Sequence, residues 1–292
     1  MKKLLILMVS LLLTLSFFNC SKDDDSDKTQ VEKISVENSQ EIMEIYMGSI
    51  NRSMMTVTRM MGGMTLPTGR AMSATERQAY SYLAKAPQTL VDTTITIVND
   101  SEYVQIHIAV AQKLNIDMVY KTATDTMDSE FELTLYDSFN QVIILDDTSG
   151  LDNTPVAKAV VVYDFYSSIL DPELGRIKDE GDGNYTIQFE RSILDSSTIS
   201  LNGSGHEKTN YQNKTYELSI TIANLVMPLS IASESEEPSG YPTSGTVKMQ
   251  DGDGNYILLT FNGTAIVTMT VKDGGQTYTF TFNLETGETD PV

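Results

Sequence analysis

The stretch Ile95-Thr-Ile-Val-Asn-Asp-Ser-Glu-Tyr-Val-Gln-Ile-His-Ile108 sets the fold class, because apolar and polar residues alternate on both sides of an Asn99-Asp100 pair. A period of two puts successive side chains on opposite faces of an extended chain, and Asn-Asp is turn chemistry, so the stretch predicts a β-hairpin with one apolar face. The same period continues downstream. Leu114, Ile116, Met118 and Tyr120 alternate with polar neighbours, then Phe131, Leu133 and Leu135, and a turn at Asp137–Asn140 leads into Val142–Leu145. Tyr185, Ile187 and Phe189 resume the pattern, followed by Tyr216–Ile222, Ala265–Val271 and Tyr278–Leu284. Val156–Tyr166, with Val160-Val161-Val162, is denser in apolar residues and reads as a central strand covered on both faces. One-sided alternation repeated about a dozen times predicts a large antiparallel meander, either an open half-barrel or sandwich-like.

Two segments echo each other. Gly181-Asp-Gly-Asn-Tyr185 with Phe189 is matched by Gly252-Asp-Gly-Asn-Tyr256 with Phe261, each preceded by a Gly-x-x-Lys at 175–178 and 245–248. Their Gly-Asn pairs suit left-handed turn positions, which predicts hairpin turns at both places and leans toward a duplicated unit. Calcium is the rival for Asp251–Asn255. An EF-hand loop, however, needs Gly at its sixth place and Glu at its twelfth, where Tyr256 and Asn262 stand.

Upstream the period is helical. Ile42, Tyr46, Ile50, Met54, Val57 and Met61 recur three or four apart, predicting an amphipathic helix over about 36–61 that Asn38 or Ser39 would cap and Gly62-Gly63 would end. It is rich in methionine, and Met47, Met54 and Met61 are its candidate apolar-ligand face, set against the simpler expectation that the stripe fills the concave side of the sheet. A capping box at Ser73–Glu76 opens a second helix over 73–85, before Pro87. The expected class is therefore α+β, mostly β, with the sheet packed on the N-terminal helix, in a single domain over 31–292.

The first residues decide location. Lys2 and Lys3 precede a 15-residue apolar run, Leu4–Phe18, and the chain's only cysteine, Cys20, follows. About 20 apolar residues are needed to span a bilayer core, so this run is too short to be an anchor helix. The arrangement resembles the signal peptide of a Gram-negative lipoprotein. That resemblance implies a signal peptide at 1–19 and a diacylglyceryl group with further acylation, such as palmitate, on Cys20. Residues 20–30, with Asp23-Asp-Asp25 and Asp27, are too polar and like-charged to fold and read as a disordered tether. The acidic run is also similar to the export signal of surface lipoproteins, which implies an outer-membrane, cell-surface address, with the periplasmic face as the alternative.

Composition narrows function. The chain carries a formal net charge of −20, and removing residues 1–19 takes away two lysines and no acids, giving −22. With no basic run or stripe, nucleic acid is excluded as a partner, and the membrane is reached through lipid alone. Once Cys20 is acylated no thiolate remains, so no metal site, cofactor or thiol nucleophile is expected. The two histidines offer little. His107 faces away from the apolar side of its strand, His206 lies in a glycine-rich stretch, Gly203–Lys208, read as a flexible loop, and neither has a recognisable partner. Asp92-Thr-Thr94 and Asp125-Thr-Met127 resemble a short O-glycosylation acceptor motif. Helix first and strands after is similar in element order to the periplasmic lipoprotein-carrier family, whose half-barrel holds acyl chains. The expectation is a non-enzymatic binding or assembly protein for an apolar small molecule or an envelope protein. A surface-displayed carbohydrate-binding module or hydrolase is the alternative.

Overall fold

The computed structural model describes residues 31–43, 46, 92–98, 102–110, 113–143, 156–171, 175–190, 198–211, 214–228 and 241–292. Among the described residues fourteen strands form one sheet: β1 (Val31–Glu32), β2 (Asp92–Val98), β3 (Glu102–Val110), β4 (Leu114–Thr122), β5 (Thr126–Tyr136), β6 (Lys158–Asp171), β7 (Gly175–Phe189), β8 (Thr198–Tyr211), β9 (Lys214–Pro228), β10 (Ser244–Gln250), β11 (Tyr256–Thr260), β12 (Ile266–Asp273), β13 (Gln276–Asn283) and β14 (Thr289–Pro291). From β2 to β14 each strand pairs antiparallel with the next in sequence, and the path does not close. The meander expected from the period-two pattern is what forms. Its hairpin chemistry is plain at Gly274-Gly275, where both residues have positive φ (54° and 92°) between the paired Asp273 and Gln276.

β1 is the exception. It pairs parallel with β9 at Thr215 and Tyr216, beyond Ser219, where the pairing of β10 with β9 ends. The N-terminal segment thus fills the lane that β10 leaves empty.

The alternating side chains make one buried face, here called the inner face. In the C-terminal half Leu218, Val247, Met249, Ile257, Leu259 and Val271 share one apolar cluster with Ile34, Ile42, Met43 and Tyr46 from the N-terminal segment. Burying such side chains contributes roughly 1.5–3 kcal/mol each. Two register shifts crease the sheet, between Leu201 and Gly203 on β8 and between Ser244 and Thr246 on β10. Between them lie Asn224 (φ 49°), whose N–H donates to Asn202 Oδ1 at 2.7 Å, and Gly245 (φ 104°).

Two expectations are corrected. Val160–Val162 is not covered on both faces, because Val161 is buried while Val162 is 38% exposed. The helical residues 39–43 begin directly after Asn38, whose carbonyl accepts from Ile42 N–H at 2.9 Å, and Ser35 braces that start: Asn38 N–H donates to Ser35 Oγ and Ser35 N–H donates to Asn38 Oδ1. Gly181–Tyr185 is no turn, since all five residues lie inside β7. The rest of the 36–61 helix and the 73–85 helix fall outside the described residues, as does the packing expected of the Met-rich face.

Candidate functional site

The middle of the inner face departs from ordinary apolar packing. Register sets Phe165 opposite Gly181, Tyr163 opposite Gly183, and Tyr185 opposite Gly203, so each of these aromatic rings has a glycine directly across the strand pair. The rings lie down over those glycines. A Cβ on Gly183 would stand 2.6 Å from the Tyr163 ring, and one on Gly181 would stand 2.9 Å from Phe165 and 2.4 Å from the His206 carbonyl oxygen. Tyr163 stacks on Phe165 with centroids 5.5 Å apart, and on Tyr185 at 5.7 Å with rings 5° from parallel. Glycine is poor in strands for want of a side chain to pack, and the neighbouring ring supplies the missing contact.

Beyond the rings the same face turns polar. Asp179 lies opposite Thr209, and Glu207 opposite Gly181, which places two carboxyls on adjacent strands beside one threonine. Tyr46, 2% exposed, comes down from the helical segment with its hydroxyl 3.3 Å from Thr209 Oγ1, a buried contact. Burial, with Asp179 adding repulsion, pushes the Glu207 carboxyl up to about 8. Burial likewise holds the Tyr46, Tyr163 and Tyr185 hydroxyls well above the usual phenol range, with Glu207 close enough to act on all three. Chemically this is a protonated carboxyl at neutral pH, able to donate as well as accept, ringed by neutral phenols.

The outer face is the electrostatic opposite. Successive cross-strand pairs join His107, Asp117, Glu130, Asp164, Asp182 and His206 in a single row from β3 to β8. Both histidines of the chain therefore cap the two ends of a row of four acids. His107 Nδ1 is 3.0 Å from Asp117 Oδ2, which corrects the expectation that it has no partner. His206 is an exposed residue of β8, not part of a flexible loop. Among the described residues no group of three or more His, Cys, Asp or Glu side chains is arranged to hold a metal ion.

Asp251–Asn255 is a hairpin turn, with Gly254 at φ 84°. The buried Asp251 carboxylate accepts from Asp253 N–H (3.0 Å) and Asn255 N–H (2.9 Å) through Oδ1, and from Ile34 N–H (2.9 Å) and Asn255 Nδ2 (3.0 Å) through Oδ2. The oxygens a cation would need are already engaged. Val36 N–H donates to Asp273, and Lys33 pairs with Asp253 at 2.6 Å, so the turn fastens the N-terminal segment to the sheet. A shallow cleft of about 520 Å³ lies here, lined by Lys33, Asp253, Lys272 and Gly275 among others. Its charged groups are paired to one another or to backbone.

Cys20 and the Met47, Met54 and Met61 face lie outside the described residues. The structure instead brings together Asp179, Glu207, Thr209 and Tyr46, a grouping the sequence pattern did not suggest. The available signal is Leu201-x-Gly203-x-Gly205-x-Glu207-x-Thr209, a period of two hidden by its glycines. No family model, curated protein or solved structure matches this chain.

Proposed function

We propose that this chain is a lipid-anchored protein of a Gram-negative cell envelope, moored at the outer membrane through Cys20 and displayed at the surface, with a sheet that binds rather than catalyses. One observation carries the reading: the chain's only cysteine directly follows a basic-then-apolar leader too short to span a bilayer. A one-sided sheet whose apolar inner face takes in Ile42, Met43 and Tyr46 from the N-terminal segment supports an apolar ligand or an envelope protein partner. The paired carboxyls Asp179 and Glu207 among tyrosines favour the second reading, a carbohydrate-binding module or hydrolase. Against it, the Tyr163 and Tyr185 rings are spent on glycines and on each other, and both residues are buried.

Fractionation of cells producing the wild type and Cys20→Ser tests the anchor. The wild type is expected in the outer membrane and cut by protease added to intact cells, and Cys20→Ser in the soluble fraction. Equal membrane association of both would overturn the anchor, and protection of the wild type in intact cells would move it to the periplasmic face.

A further inference from the structure

Register assembles, at one end of the outer face, a row that no local stretch of sequence contains. Cross-strand pairs lead from Val98 on β2 through Tyr103, Lys121 and Lys178 to Thr215 on β9, and Val31 of β1 sits opposite Thr215. The positions between are Thr, Ser and Asn, so the row holds no acid in a chain with 40 Asp and Glu against 20 Lys and Arg. One row further out, Arg176 is paired with Leu170. Val98, Leu170 and Val31 are exposed apolar side chains, and Lys121 and Lys178 are paired with no carboxylate among the described residues. The acids nearest the rim are Asp125, which accepts from Leu170 N–H at 2.9 Å, and Asp128, Glu180 and Glu217 in the next row inward, where Lys208 pairs with Glu180. The row of Asp117, Glu130, Asp164 and Asp182 stands four residues from the rim along each strand, about 13–14 Å. That exceeds the screening length of about 8 Å at physiological salt, so those acids do not cancel the cations of the rim.

We propose that this rim lies on an anionic phospholipid surface, the headgroups of the bilayer that holds Cys20; the assignment rests on the lipid-anchor reading. Its composition is that of residues that settle at a membrane interface. Lysine and arginine reach phosphate while their stems and the tyrosine ring cover apolar surface, and the exposed valines and leucine enter the boundary beneath the headgroups. Chain geometry points the same way. β1 runs parallel to β9 and begins at Val31, so the chain arriving from Cys20 enters the sheet at this end. Residues 20–30 can span at most about 40 Å. The opposite end, which carries Phe139, lies about 30–35 Å away along β5. Only an almost fully extended stretch from Cys20 could turn that end to the bilayer, whereas the rim reaches it in any conformation of those residues.

Single added cysteines test this in the full chain, purified from membranes with Cys20 acylated and reconstituted in vesicles of phosphatidylglycerol and phosphatidylcholine. A fluorophore is placed at Val98→Cys or Leu170→Cys on the rim, or at Phe139→Cys or Val142→Cys at the other end, and the quencher is carried on the lipid headgroup. With the ends about 30–35 Å apart, the quencher is expected to remove more than about half of the signal at positions 98 and 170 and almost none at 139 and 142. Lys121→Glu combined with Lys178→Glu is expected to erase that difference while the vesicle-bound fraction stays the same. Lys113→Glu combined with Lys158→Glu makes the same change of charge at the opposite end and is expected to leave the difference intact. If a charge variant does not fold, the labels in the otherwise wild-type chain decide alone. Equal quenching at both ends of a vesicle-bound chain, or stronger quenching at 139 and 142, would overturn the rim and spare the anchor. Rim labels that stay bright would likewise overturn it and leave the row to a protein partner. An unacylated chain that stays in solution would overturn anchor and rim together.

Discussion

Alanine placed at Gly181 and at Gly252 should give opposite results, although the two glycines open the same Gly-Asp-Gly-Asn-Tyr sequence. At Gly181 a Cβ would lie 2.4 Å from the His206 carbonyl oxygen and 2.9 Å from Phe165 Cζ. Ordinary contact needs about 3.4 Å or more, so roughly 1 Å of overlap must be relieved. The oxygen belongs to a strand with neighbours on both sides, and Phe165 is stacked on Tyr163, so neither gives way cheaply. Overpacking of this kind costs about 2–3 kcal/mol, or a melting temperature lower by roughly 5–10 °C in a chain of this size. At Gly252 nothing lies within 4 Å of the added carbon. There alanine narrows the unfolded ensemble and is expected to be neutral or stabilising by up to about 1 kcal/mol. Urea unfolding followed by tyrosine fluorescence is a clean assay because the chain has no tryptophan. Equal effects at the two sites would refute the claim that one motif is a mid-strand bed for aromatic rings and the other an open turn.

Other perturbations follow from the same geometry. Glu207 holds a proton in the folded state between pH 4.5 and about 8 that the unfolded chain has released, so stability falls as pH rises through that window. The full shift would amount to roughly 4–5 kcal/mol, and partial exposure reduces the expectation to the order of 2 kcal/mol, read as the change in urea midpoint that Glu207→Gln abolishes. Asp251→Ala strands four N–H donors and is expected to cost about 2–4 kcal/mol, with Asp251→Asn recovering part of it; equal midpoints for wild type and alanine variant would contradict the turn's role. Glu130→Lys sets a cation between Asp117 and Asp164 on the outer row and should stabilise by roughly 0.5–1 kcal/mol at low salt, a gain that shrinks as ionic strength rises.

Strands whose side chains alternate cleanly are legible from sequence, since Ile95–Ile108 and Tyr278–Leu284 carry their period in their own residues. β7 and β8 are not. Gly181, Gly183, Gly203 and Gly205 carry turn propensity locally, and what keeps them extended is an aromatic ring on another strand, which no local window contains. Taking those glycines for turn residues also makes His206 a loop residue and hides Glu207 on the buried face. Val160–Val162 misleads for a different reason: a run of β-branched residues fits one exposed face as well as two buried ones, and the neighbours decide. The exchange between Ser35 and Asn38 is inconspicuous because Asn stands in the place where Glu or Gln is usual in such a box.

The account's functional claim turns on the state of one thiol. An intact mass of the protein, taken from native membranes in mild detergent, is predicted to equal a chain starting at Cys20 plus diacylglyceryl and acyl additions. A mass that retains residues 1–19 with Cys20 unmodified would contradict it.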